Sequence, residues 1–478
     1  MTGFGSILRC GVHVPRLRLS RACIAEAMGW TAAPARSAPR GARAVCNWDE
    51  DTLTLAVEAA RTCVAPLAHD AVIDSIMFCS TTAPFADRDD AAVIAAALDF
   101  PETLETSNLG ASLRAGTGGL VNACRRRGHT LLVAGDARLT RPGSPQELTY
   151  GDAAVALLIG PSSPDALATV LGVHSLTSDF VDHYRMAGAD FDYALEERWV
   201  RDESLMQLIP KAVGALLSAA GLDAGAVKRF LIPTSAGNAK RIAQSCGLAA
   251  AAGDSAVLTE CGDAGAATAL LMLASVFDSA EPGDLTVLVG IGQGVDAVLL
   301  RIESAARSGQ AMARALSRKR DEPSYLRYLS HRGLIDVDFG MRAERDQRTA
   351  HTVAYRKRRA ITGFVGGRCG RCAAVQFPLS RVCVNPECRA TDTQVAHRLA
   401  DSLGRVKTFT EDWQAFAPRP PYSYGNVEFA EGGNLLMEFT DVEPGDLAVN
   451  DEVRFVFRIK DEDRARGFRR YFWKATKV

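Results

Sequence analysis

The sequence has no apolar run near the roughly 20 residues that a membrane-spanning helix needs. It also has no low-complexity tract, and its first residues lack the basic segment and sustained apolar core of a secretory signal. The formal net charge is only −1 at pH 7, without the overall basic balance that favours nucleic-acid binding. These absences predict a globular chain that has neither a membrane nor a nucleic acid as its partner.

What is present is an ordinary globular composition. The chain has 478 residues, of which 47% are hydrophobic and 23% are charged, and this length predicts two to three domains. Eight of the twelve cysteines are scattered singly through the first 261 residues, mostly within apolar runs such as the one around Cys79. Cysteines in such a setting are typically buried small hydrophobes rather than disulfide partners. We therefore expect a reducing, cytoplasmic location.

The first 300 residues alternate short apolar runs with helical patterns, as in a layered α/β fold. Apolar runs at 74–81, 130–136 and 154–160 predict buried strands. The segment 49–64 predicts a helix with one apolar face, formed by Leu53, Ala56, Val57, Ala60 and Val64.

The order of these patterns occurs twice. The first half runs from a strand (IMFCST) through a small-residue helix start (LRAGTGGLVNAC) to two further strands, and the second half repeats this order from RFLIPTS onward. Small residues at a helix start let that helix pack centrally between two sheets. The repeat predicts an internally duplicated α/β/α/β/α domain with pseudo-two-fold symmetry.

The character of the sequence changes after Ser304. Residues 303–360 carry 14 Lys and Arg against 7 Asp and Glu, and they show a helix-permissive pattern without strands. The basic clusters at 318–320 and 356–359 are candidates for binding phosphates or an acidic carrier protein; the alternative is a solvated, charged helical connector. From Ile361 onward, short alternating strands punctuated by glycine and proline predict a small closed barrel.

The sharpest motif in the sequence is a set of four clustered cysteines. Cys369 and Cys372 form one close pair, and Cys383 and Cys388 form a second pair after ten intervening residues. Four thiolates in two such pairs suit tetrahedral Zn²⁺. An all-cysteine site leaves no open coordination position, so the sequence predicts a structural zinc ion that helps to fold a small module.

The ordered motifs resemble a known superfamily, the thiolases. Five segments are similar, in order and spacing, to hydroxymethylglutaryl-CoA synthases and to ketoacyl-ACP synthases of type III: FGSILRCGVHVPRLRL, AVCNWDEDTLTLAVEAAR, LRAGTGGL, GDAAVALLIG and GIGQGVDAVLLRIE. Over about 325–478, the segments GGRCGRCAAVQFP, GRVKTFTEDW and YFWKA resemble the zinc-ribbon and OB-fold module that accompanies many thiolase-like proteins.

The resemblance implies a fold class and a division of the chain. The fold class is α/β: a duplicated thiolase-like layered domain, followed by a rubredoxin-like zinc ribbon and an OB-fold β-barrel. The expected parts are a thiolase-like domain at 1–302, an Arg-rich helical connector at 303–360, a zinc ribbon at 361–395 and an OB-fold domain at 396–478. By analogy with the superfamily, we expect a homodimer.

The resemblance also implies a catalytic set, from which this sequence departs. The family nucleophile stands in Cys-x-Ala-Gly-Thr, and that stretch begins here with Leu113, preceded by Ser112. The family Glu falls on Thr82, the family His on Thr234, and the Gly-Asn of the second repeat becomes Gly262-Asp263. A shared acyl-cysteine route is therefore not expected.

One interpretation is an enzyme with changed chemistry. Aldol or retro-aldol chemistry on an acyl-CoA or acyl-carrier thioester needs an acid/base and an oxyanion hole but no acyl-enzyme. The polar segment 177–203 lies where the family places its substrate-covering segment, and it makes His183 the leading acid/base candidate. The other candidate catalytic residues are Ser112, Asp179, Asp263, Thr234 and Thr82. Candidate ligand-binding residues are Gly292 and Gly294, as part of an oxyanion hole, and Asn238.

The other interpretation is a thiolase-like half that does not catalyse. It would serve as a scaffold, a carrier-protein dock or a half-site subunit in a hetero-complex with an active thiolase-like partner. The polar, titratable side chains of 177–203 favour the enzyme, because a scaffold does not need them. For an enzyme, the implied cofactors and partners are a structural zinc ion and an acyl-CoA or acyl-carrier thioester as substrate.

Overall fold

A computed structural model of the chain describes residues 4–31, 40–65, 72–251, 256–304, 310–340 and 350–478. The chain forms two compact units. The first comprises Met1–Cys46, Asp51–Ala92 and Thr103–Tyr328, and the second comprises Asn47–Glu50, Val93–Glu102 and Leu329–Val478. The second unit thus combines two N-terminal segments with the C-terminal part, whereas the sequence predicted domains that follow one another along the chain.

The strands of the two units are as follows. Those before residue 330 are β1 Ser6–His13, β2 Leu17–Ser20, β3 Ala42–Val45, β4 Ser75–Cys79, β5 Glu105–Leu109, β6 Thr130–Asp136, β7 Ala153–Gly160, β8 Ala168–Thr177, β9 His183–Tyr184, β10 Tyr193–Ala194, β11 Val227–Leu231, β12 Leu285–Ile291, β13 Gly294–Ile302 and β14 Arg320–Asp321. Those after it are β15 Val365–Cys369, β16 Val375–Gln376, β17 Gln394–Arg398, β18 Leu403–Asp412, β19 Tyr422–Phe429, β20 Asn434–Glu438, β21 Glu452–Asp463 and β22 Phe468–Lys477.

The α-helices in the described part of the chain are α1 Arg21–Met28, α2 Thr52–Val64, α3 Asp90–Ala97, α4 Ala115–Ala123, α5 Pro145–Thr149, α6 Glu197–Trp199, α7 Met206–Ala220, α8 Ala236–Ser245, α9 Ala256–Glu260, α10 Thr268–Phe277, α11 Ala311–Ser317, α12 Tyr325–His331, α13 His351–Arg356 and α14 Arg358–Ile361. A 3-10 turn at Gly265–Ala267 leads into α10. Among the described residues, no helix is both long enough and apolar enough to span a bilayer.

Two half-sheets form the core of the first unit. The strand order is β11-β12-β13-β8-β1-β7-β6-β4-β5, so the strands from the two sequence repeats lie on opposite sides of the β1–β8 junction. That junction is short, since Ser6 pairs with Thr169 and Ile7 pairs with Ala168. The internal duplication predicted from the sequence is therefore visible in the strand order.

Helices pack between and outside the half-sheets. Helix α4 contacts β4 and β6 of one half as well as β12 and β13 of the other, and α10 contacts β1, β7, β11 and β12. Helix α2 packs on β1, β6 and β7, while α7 packs on β8 and β13. The order is helix, sheet, paired central helices, sheet, helix, and it confirms the predicted α/β/α/β/α fold class.

Close approach explains why the helix starts are rich in small residues. A Cβ added to Gly116, in the first turn of α4, would lie 2.0 Å from the carbonyl oxygen of Ala266. No side chain fits at that distance, so glycine lets the two central segments touch through their backbones.

The helix predicted at 49–64 is present as α2, with Leu53, Ala56, Val57 and Ala60 buried. The burial extends beyond this apolar face, because all of residues 52–60 are buried. Its polar side chains find partners locally: Asp51 and Thr54 form a reciprocal capping box at its start, and Arg61 donates to Glu58 at 2.9 Å. Satisfying these groups within the helix allows it to be covered on every side.

The predicted connector is described only in part, because 305–309 and 341–349 lie outside the described residues. Its described parts hold α11 to α14. It is not free of strands as predicted, since β14 pairs in parallel with β2 through Arg320 and Asp321.

The second unit contains a small three-stranded sheet and a barrel. Strands β16, β15 and β17 form the first, and β20-β19-β18-β21-β22 form the second. A bridge between Phe439 and Ala475 joins the two ends of the five-stranded sheet, which closes it as predicted. Packed rings such as Phe364, Phe455 and Trp473 fill its interior.

The short segment Asn47–Glu50 inserts charged groups into the second unit. Asp49 is fully buried, and its carboxylate accepts from Lys474 Nζ at 3.0 Å and from Thr440 Oγ1 at 2.9 Å. Glu50 pairs with the buried Arg458 at 2.9 Å. These pairs add to the Asp441 and Glu438 carboxylates that also face the buried Arg458 and Lys474 of β21 and β22.

Candidate functional site

The N-terminus of the central helix α4 is the first element of the site. Ser112 Oγ donates to the carbonyl oxygen of Gly292 at 3.0 Å, and the N–H of Arg114 donates to Ser112 Oγ at 3.3 Å. A Cβ on Gly292 would lie 2.5 Å from Ser112 Oγ. The β12–β13 loop thus lies directly against the start of α4. Leu113, predicted to stand at the family's nucleophile position, is half-buried.

The carboxylate of Asp296 holds the first turn of α4 in place. The buried Asp296 accepts from Ser175 Oγ at 2.6 Å and from Thr117 Oγ1 at 3.1 Å. Arg114 Nη1 lies 3.4 Å from the same carboxylate and 3.1 Å from the carbonyl oxygen of Leu176. Strands β8 and β13 therefore hold the first turn of α4 by charge-assisted hydrogen bonds.

Thr82, predicted to stand at the position of the family Glu, belongs to a chain of hydroxyl groups. Its Oγ1 donates to Asp136 Oδ1 at 2.8 Å and accepts from the N–H of Ala137 at 2.9 Å. Thr52 Oγ1 lies 2.9 Å away, and it must be the donor because the single Thr82 proton is already given to Asp136. The Thr82 hydroxyl is thereby fully engaged in this structure.

Asp136 anchors the whole turn that carries Thr82. Besides Thr82, the fully buried carboxylate accepts from Ser80 Oγ and Thr81 Oγ1 at 2.9 and 3.0 Å. The N–H of Ala266 adds a further hydrogen bond at 2.8 Å from the segment that precedes α10. One carboxylate at the end of β6 thus joins the turns of both sequence repeats.

Asp263, predicted to stand at the position of the family Asn, belongs to an ion cluster around the buried Arg138. Arg138 donates to its carboxylate at 2.7 Å, and Thr268 Oγ1 donates at 2.6 Å. The guanidinium of Arg138 lies 3.5 Å from the ring centroid of Tyr150. Burial by itself would lower the pKa of Arg138, but the neighbouring groups, Asp263 foremost, raise that pKa above the ordinary arginine value.

His183 lies in a short hairpin formed by β9 and β10. Its Nδ1 is 2.9 Å from Asp182 Oδ1, and both side chains are about one-fifth exposed. Burial would raise the pKa of Asp182, but hydrogen bonds and charge from His183 lower it below the usual value. This pairing of imidazole and carboxylate orients the ring as in a general base. Asp179, four residues earlier, is exposed.

The remaining predicted residues lie in the second repeat. Thr234 lies on the loop after β11, and its N–H donates to the carbonyl oxygen of Ile232 at 2.8 Å. Asn238 is in the first turn of α8, where its N–H donates to the capping Ser235 at 3.4 Å. The N–H of Gly292 donates to the carbonyl oxygen of Gly294 at 3.1 Å, so this predicted oxyanion donor is engaged within its own loop.

Cys261, next to the family Gly-Asn position, has the wrong environment for a nucleophile. It is fully buried, and burial raises the pKa of its thiol to about 12. A thiol with that pKa holds almost no thiolate at neutral pH.

The structure joins several predicted residues through partners that sequence reasoning missed. Asp136 and Arg138 contact Thr82 and Asp263 respectively, and Asp192 contacts both Arg138 and the hairpin residue Arg185. Asp136 and Arg138 stand in TLLVAGDARL, at and just beyond the end of a predicted strand. Polar residues at strand ends are the signal that would have pointed to them.

The four clustered cysteines come together in the second unit. All four Sγ atoms lie within 4.8 Å of one another. The Cys369–Cys388 and Cys372–Cys383 sulfur separations are 3.9 and 3.5 Å. Tetrahedral coordination with Zn–S bonds of about 2.3 Å needs sulfur atoms about 3.8 Å apart. The residues present therefore fit a zinc ion.

The predicted basic clusters are partly neutralised. Lys319 pairs with Glu260 at 3.0 Å, and Arg359 pairs with Asp99 at 2.7 Å. Arg358 is also paired, with Glu102. These ion pairs favour the alternative of a charged connector over a free phosphate-binding surface.

Comparison with known proteins agrees with this architecture. A family model described as "ChsH2, C-terminal OB-fold domain" matches residues 398–458. Hydroxymethylglutaryl-CoA synthase of Aeropyrum pernix is 28% identical over 344 residues, which cover 70% of this chain and 92% of that protein. The Methanocella arvoryzae enzyme is 31% identical over 187 residues, covering 38% of this chain and 53% of that protein.

Solved structures show the same fold. The structure described as "MvaS in complex with 3-hydroxy-3-methylglutaryl coenzyme A" matches with a TM-score of 0.60 at 19% identity, covering 70% of this chain and 92% of that one. The 3-oxoacyl-(acyl carrier protein) synthase III of Pseudomonas aeruginosa matches with a TM-score of 0.55 at 19% identity, covering 63% and 98%. The chain is thus similar in sequence to hydroxymethylglutaryl-CoA synthases, has a thiolase-like fold and carries a C-terminal OB-fold domain.

Proposed function

We propose that this chain forms or cleaves a carbon–carbon bond in an acyl-CoA or acyl-carrier thioester by an aldol-type route that uses no cysteine acyl-enzyme. The observation that carries this proposal is the His183–Asp182 pair, at 2.9 Å, on a hairpin tied by Arg185 to the turn of Thr82. Homology to hydroxymethylglutaryl-CoA synthases supports the substrate class. The cysteine route is set aside because Leu113 stands at the nucleophile position.

The following roles are part of this proposal. Asp182 orients the His183 ring, and His183 removes a proton from the substrate; in the cleavage direction this is a hydroxyl proton, and the carbon–carbon bond breaks to an enolate. The thioester oxygen gains negative charge in this step. The N-terminus of α4 supplies the positive end of a helix dipole for that oxygen. The Ser112 hydroxyl donates to it only after turning away from the carbonyl oxygen of Gly292. Reprotonation of the enolate carbon by the His183 imidazolium completes the cycle.

A non-catalytic scaffold or half-site subunit is the second candidate. The observation that favours it is the engagement of the inherited positions: the Thr82 hydroxyl is saturated, and the Asp263 carboxylate is held by Arg138 and Thr268. Neither group is free to transfer a proton. Under this alternative the protein binds a CoA thioester, a carrier protein or an active partner without turnover.

The deciding experiment is mass spectrometry of the purified protein with a panel of acyl-CoA thioesters, scanning both products and protein mass. Product without a covalent adduct, lost in His183→Ala and kept in Asp190→Asn, supports the proposed route. Asp190 is a suitable control because it is exposed on the same hairpin. An acyl adduct on Ser112 would restore a covalent mechanism. Binding without any product would favour the scaffold.

We also propose that the four-cysteine cluster holds a structural zinc ion. The support is the fit of Cys369, Cys372, Cys383 and Cys388 to tetrahedral coordination. Metal analysis of the purified protein is expected to find about one zinc per chain. Loss of that zinc in Cys372→Ser is the matching result, whereas a metal-free, folded protein would overturn the assignment.

A further inference from the structure

The carboxylate of Asp192 lies at the centre of a buried polar cluster. Its side chain is only 4% exposed. Arg185 Nη1 lies 3.2 Å from it, Arg138 Nη1 lies 3.6 Å from it, and Tyr150 Oη donates to it at 3.1 Å. Two guanidinium groups and a phenol thus converge on one carboxylate, an arrangement that is strong in a desolvated setting.

Both arginines that contact Asp192 also contact residues at or next to the candidate positions Thr82 and Asp263. Arg138 also holds the Asp263 carboxylate at 2.7 Å. Arg185, on the hairpin itself, also donates to the carbonyl oxygen of Thr81, next to Thr82. Asp192 and Arg185 belong to the same hairpin, which is closed by the pairing of His183 with Ala194. Through Arg185 and through Asp192 with Arg138, the hairpin is therefore connected to both the Thr82 turn and the Asp263 loop.

Apolar burial is limited in this hairpin. Three of its four large apolar side chains are largely exposed: Tyr184 by 49%, Met186 by 74% and Tyr193 by 62%. The fourth, Phe191, is half-buried under the Arg141 guanidinium. Because exposed apolar surface gives little hydrophobic stabilisation, the inward ion pair of Arg185 and Asp192 contributes substantially to the attachment.

We propose that Asp192 is a positioning residue that fastens the hairpin 183–194, and with it His183, over the Thr82 and Asp263 positions. The fastening itself follows from the contacts, and its role in turnover rests on the proposed function of His183. Replacing the carboxylate by an amide removes the charge that both arginines share. The hairpin then opens more often, and His183 is less often in its working position.

The test uses the full chain and hydrogen exchange followed by mass spectrometry. In Asp192→Asn, amides of 183–194 are expected to exchange at least 10-fold faster than in the parent protein. Asp190→Asn makes the same chemical change on the exposed side of the hairpin, and its exchange is expected to be unchanged. Arg185→Gln removes only one of the two arginines that contact Asp192, and we expect a smaller increase in the exchange rate of 183–194. This second variant keeps the test valid if Asp192→Asn does not fold. Unchanged exchange at 183–194 in both Asp192→Asn and Arg185→Gln would overturn the fastening.

Turnover separates this inference from the proposed function. On an accepted thioester, Asp192→Asn is expected to lower kcat about 10- to 100-fold with a smaller change in KM, because the bound substrate meets a misplaced base. Faster exchange with an unaltered kcat would overturn the positioning role. Faster exchange in a protein that turns over no thioester would uphold the fastening and overturn the proposed function alone.

Discussion

At the scale of single residues, two adjacent carboxylates at the start of α3 show how surroundings decide charge. Asp89 is exposed, and although partial burial would raise its pKa, hydrogen bonds from Thr106 and Asn108 lower the pKa below the usual value. Asp90 is 1% exposed, and its Oδ1 has no hydrogen-bond partner among the described residues. Burial, together with the nearby Asp51 and Asp89, raises the pKa of Asp90 to about 7, although Arg88 opposes the rise.

The contrast between Asp89 and Asp90 predicts that replacing each aspartate by asparagine has opposite effects on stability. The folded-state pKa of Asp90 exceeds its unfolded value, so the folded protein holds the proton more tightly, and stability is lost as the pH rises from about 4 to about 7. Asp90→Asn removes the buried charge, and we expect it to raise the free energy of unfolding at pH 8 by about 2 kcal/mol and at pH 5 by roughly a third of that, because at pH 5 only the unfolded carboxyl is ionised. Denaturant unfolding at the two pH values measures the difference.

Asp89→Asn is the matched control for this measurement. Its folded-state pKa is depressed, so its contribution is present above the unfolded pKa and is lost as the pH falls through the folded one. We expect Asp89→Asn to destabilise the protein at pH 8, since the helix cap to the N–H of Ala92 weakens. A loss of stability at pH 8 in Asp90→Asn would contradict the buried-charge account.

At the scale of elements, the central helix α4 has two glycines in different surroundings. A Cβ at Gly116 would lie 2.0 Å from the carbonyl oxygen of Ala266, whereas the nearest atom to a Cβ at Gly118 is Asp296 Oδ2 at 3.8 Å. A side chain at Gly116 would therefore clash with the segment that leads into α10, whereas a side chain at Gly118 would make an ordinary van der Waals contact.

We expect Gly116→Ala to lower the free energy of unfolding by about 3 kcal/mol, because the central segments must separate. Gly118→Ala is expected to raise it by about 0.5 kcal/mol, because alanine is the better helix former. Thermal unfolding of the two variants checks both signs. Equal effects from both substitutions would show that the central helices are not in the close contact described.

At the scale of the whole molecule, the chain does not fold as consecutive pieces. Residues 47–50 and 93–102 belong to the same compact unit as residues 329–478. Within that unit, Asp49 and Glu50 face Lys474 and Arg458, all four being nearly inaccessible to solvent. The C-terminal unit therefore includes residues that lie about 400 positions before their partners in the sequence.

Asp49→Ala tests this dependence. Removing one partner leaves Lys474 buried with only Glu438 at 3.2 Å, and we expect the second unit to lose about 3 kcal/mol. Amide exchange along β21 and β22 measures the loss in that unit. Asp451→Asn, which breaks the more exposed Asp451–Lys477 pair, is expected to cost less than about 1 kcal/mol. Similar exchange in the two variants would refute the special role of Asp49.

The sequence by itself determined the features that depend on local patterns. Hydrophobic periodicity and the repeated strand–helix–strand order predicted the duplicated layers, because both signals are local in the chain. The small residues at the start of α4 predicted its central place, and the four-cysteine spacing predicted a cluster that the structure brings within 4.8 Å. The barrel at the C-terminus followed from alternation along its strands.

Only the tertiary structure decided which polar groups meet. Thr82 and Asp136 are 54 positions apart, and Arg138 and Asp263 are 125 apart, so no local pattern links them. The sequence pointed to His183, but the buried Asp192 cluster that ties its hairpin down depends on contacts between distant segments. Likewise, nothing local shows that Asp49 completes the C-terminal unit. Periodicity records what each segment buries, whereas ion pairs and hydrogen bonds form between side chains that only folding brings together.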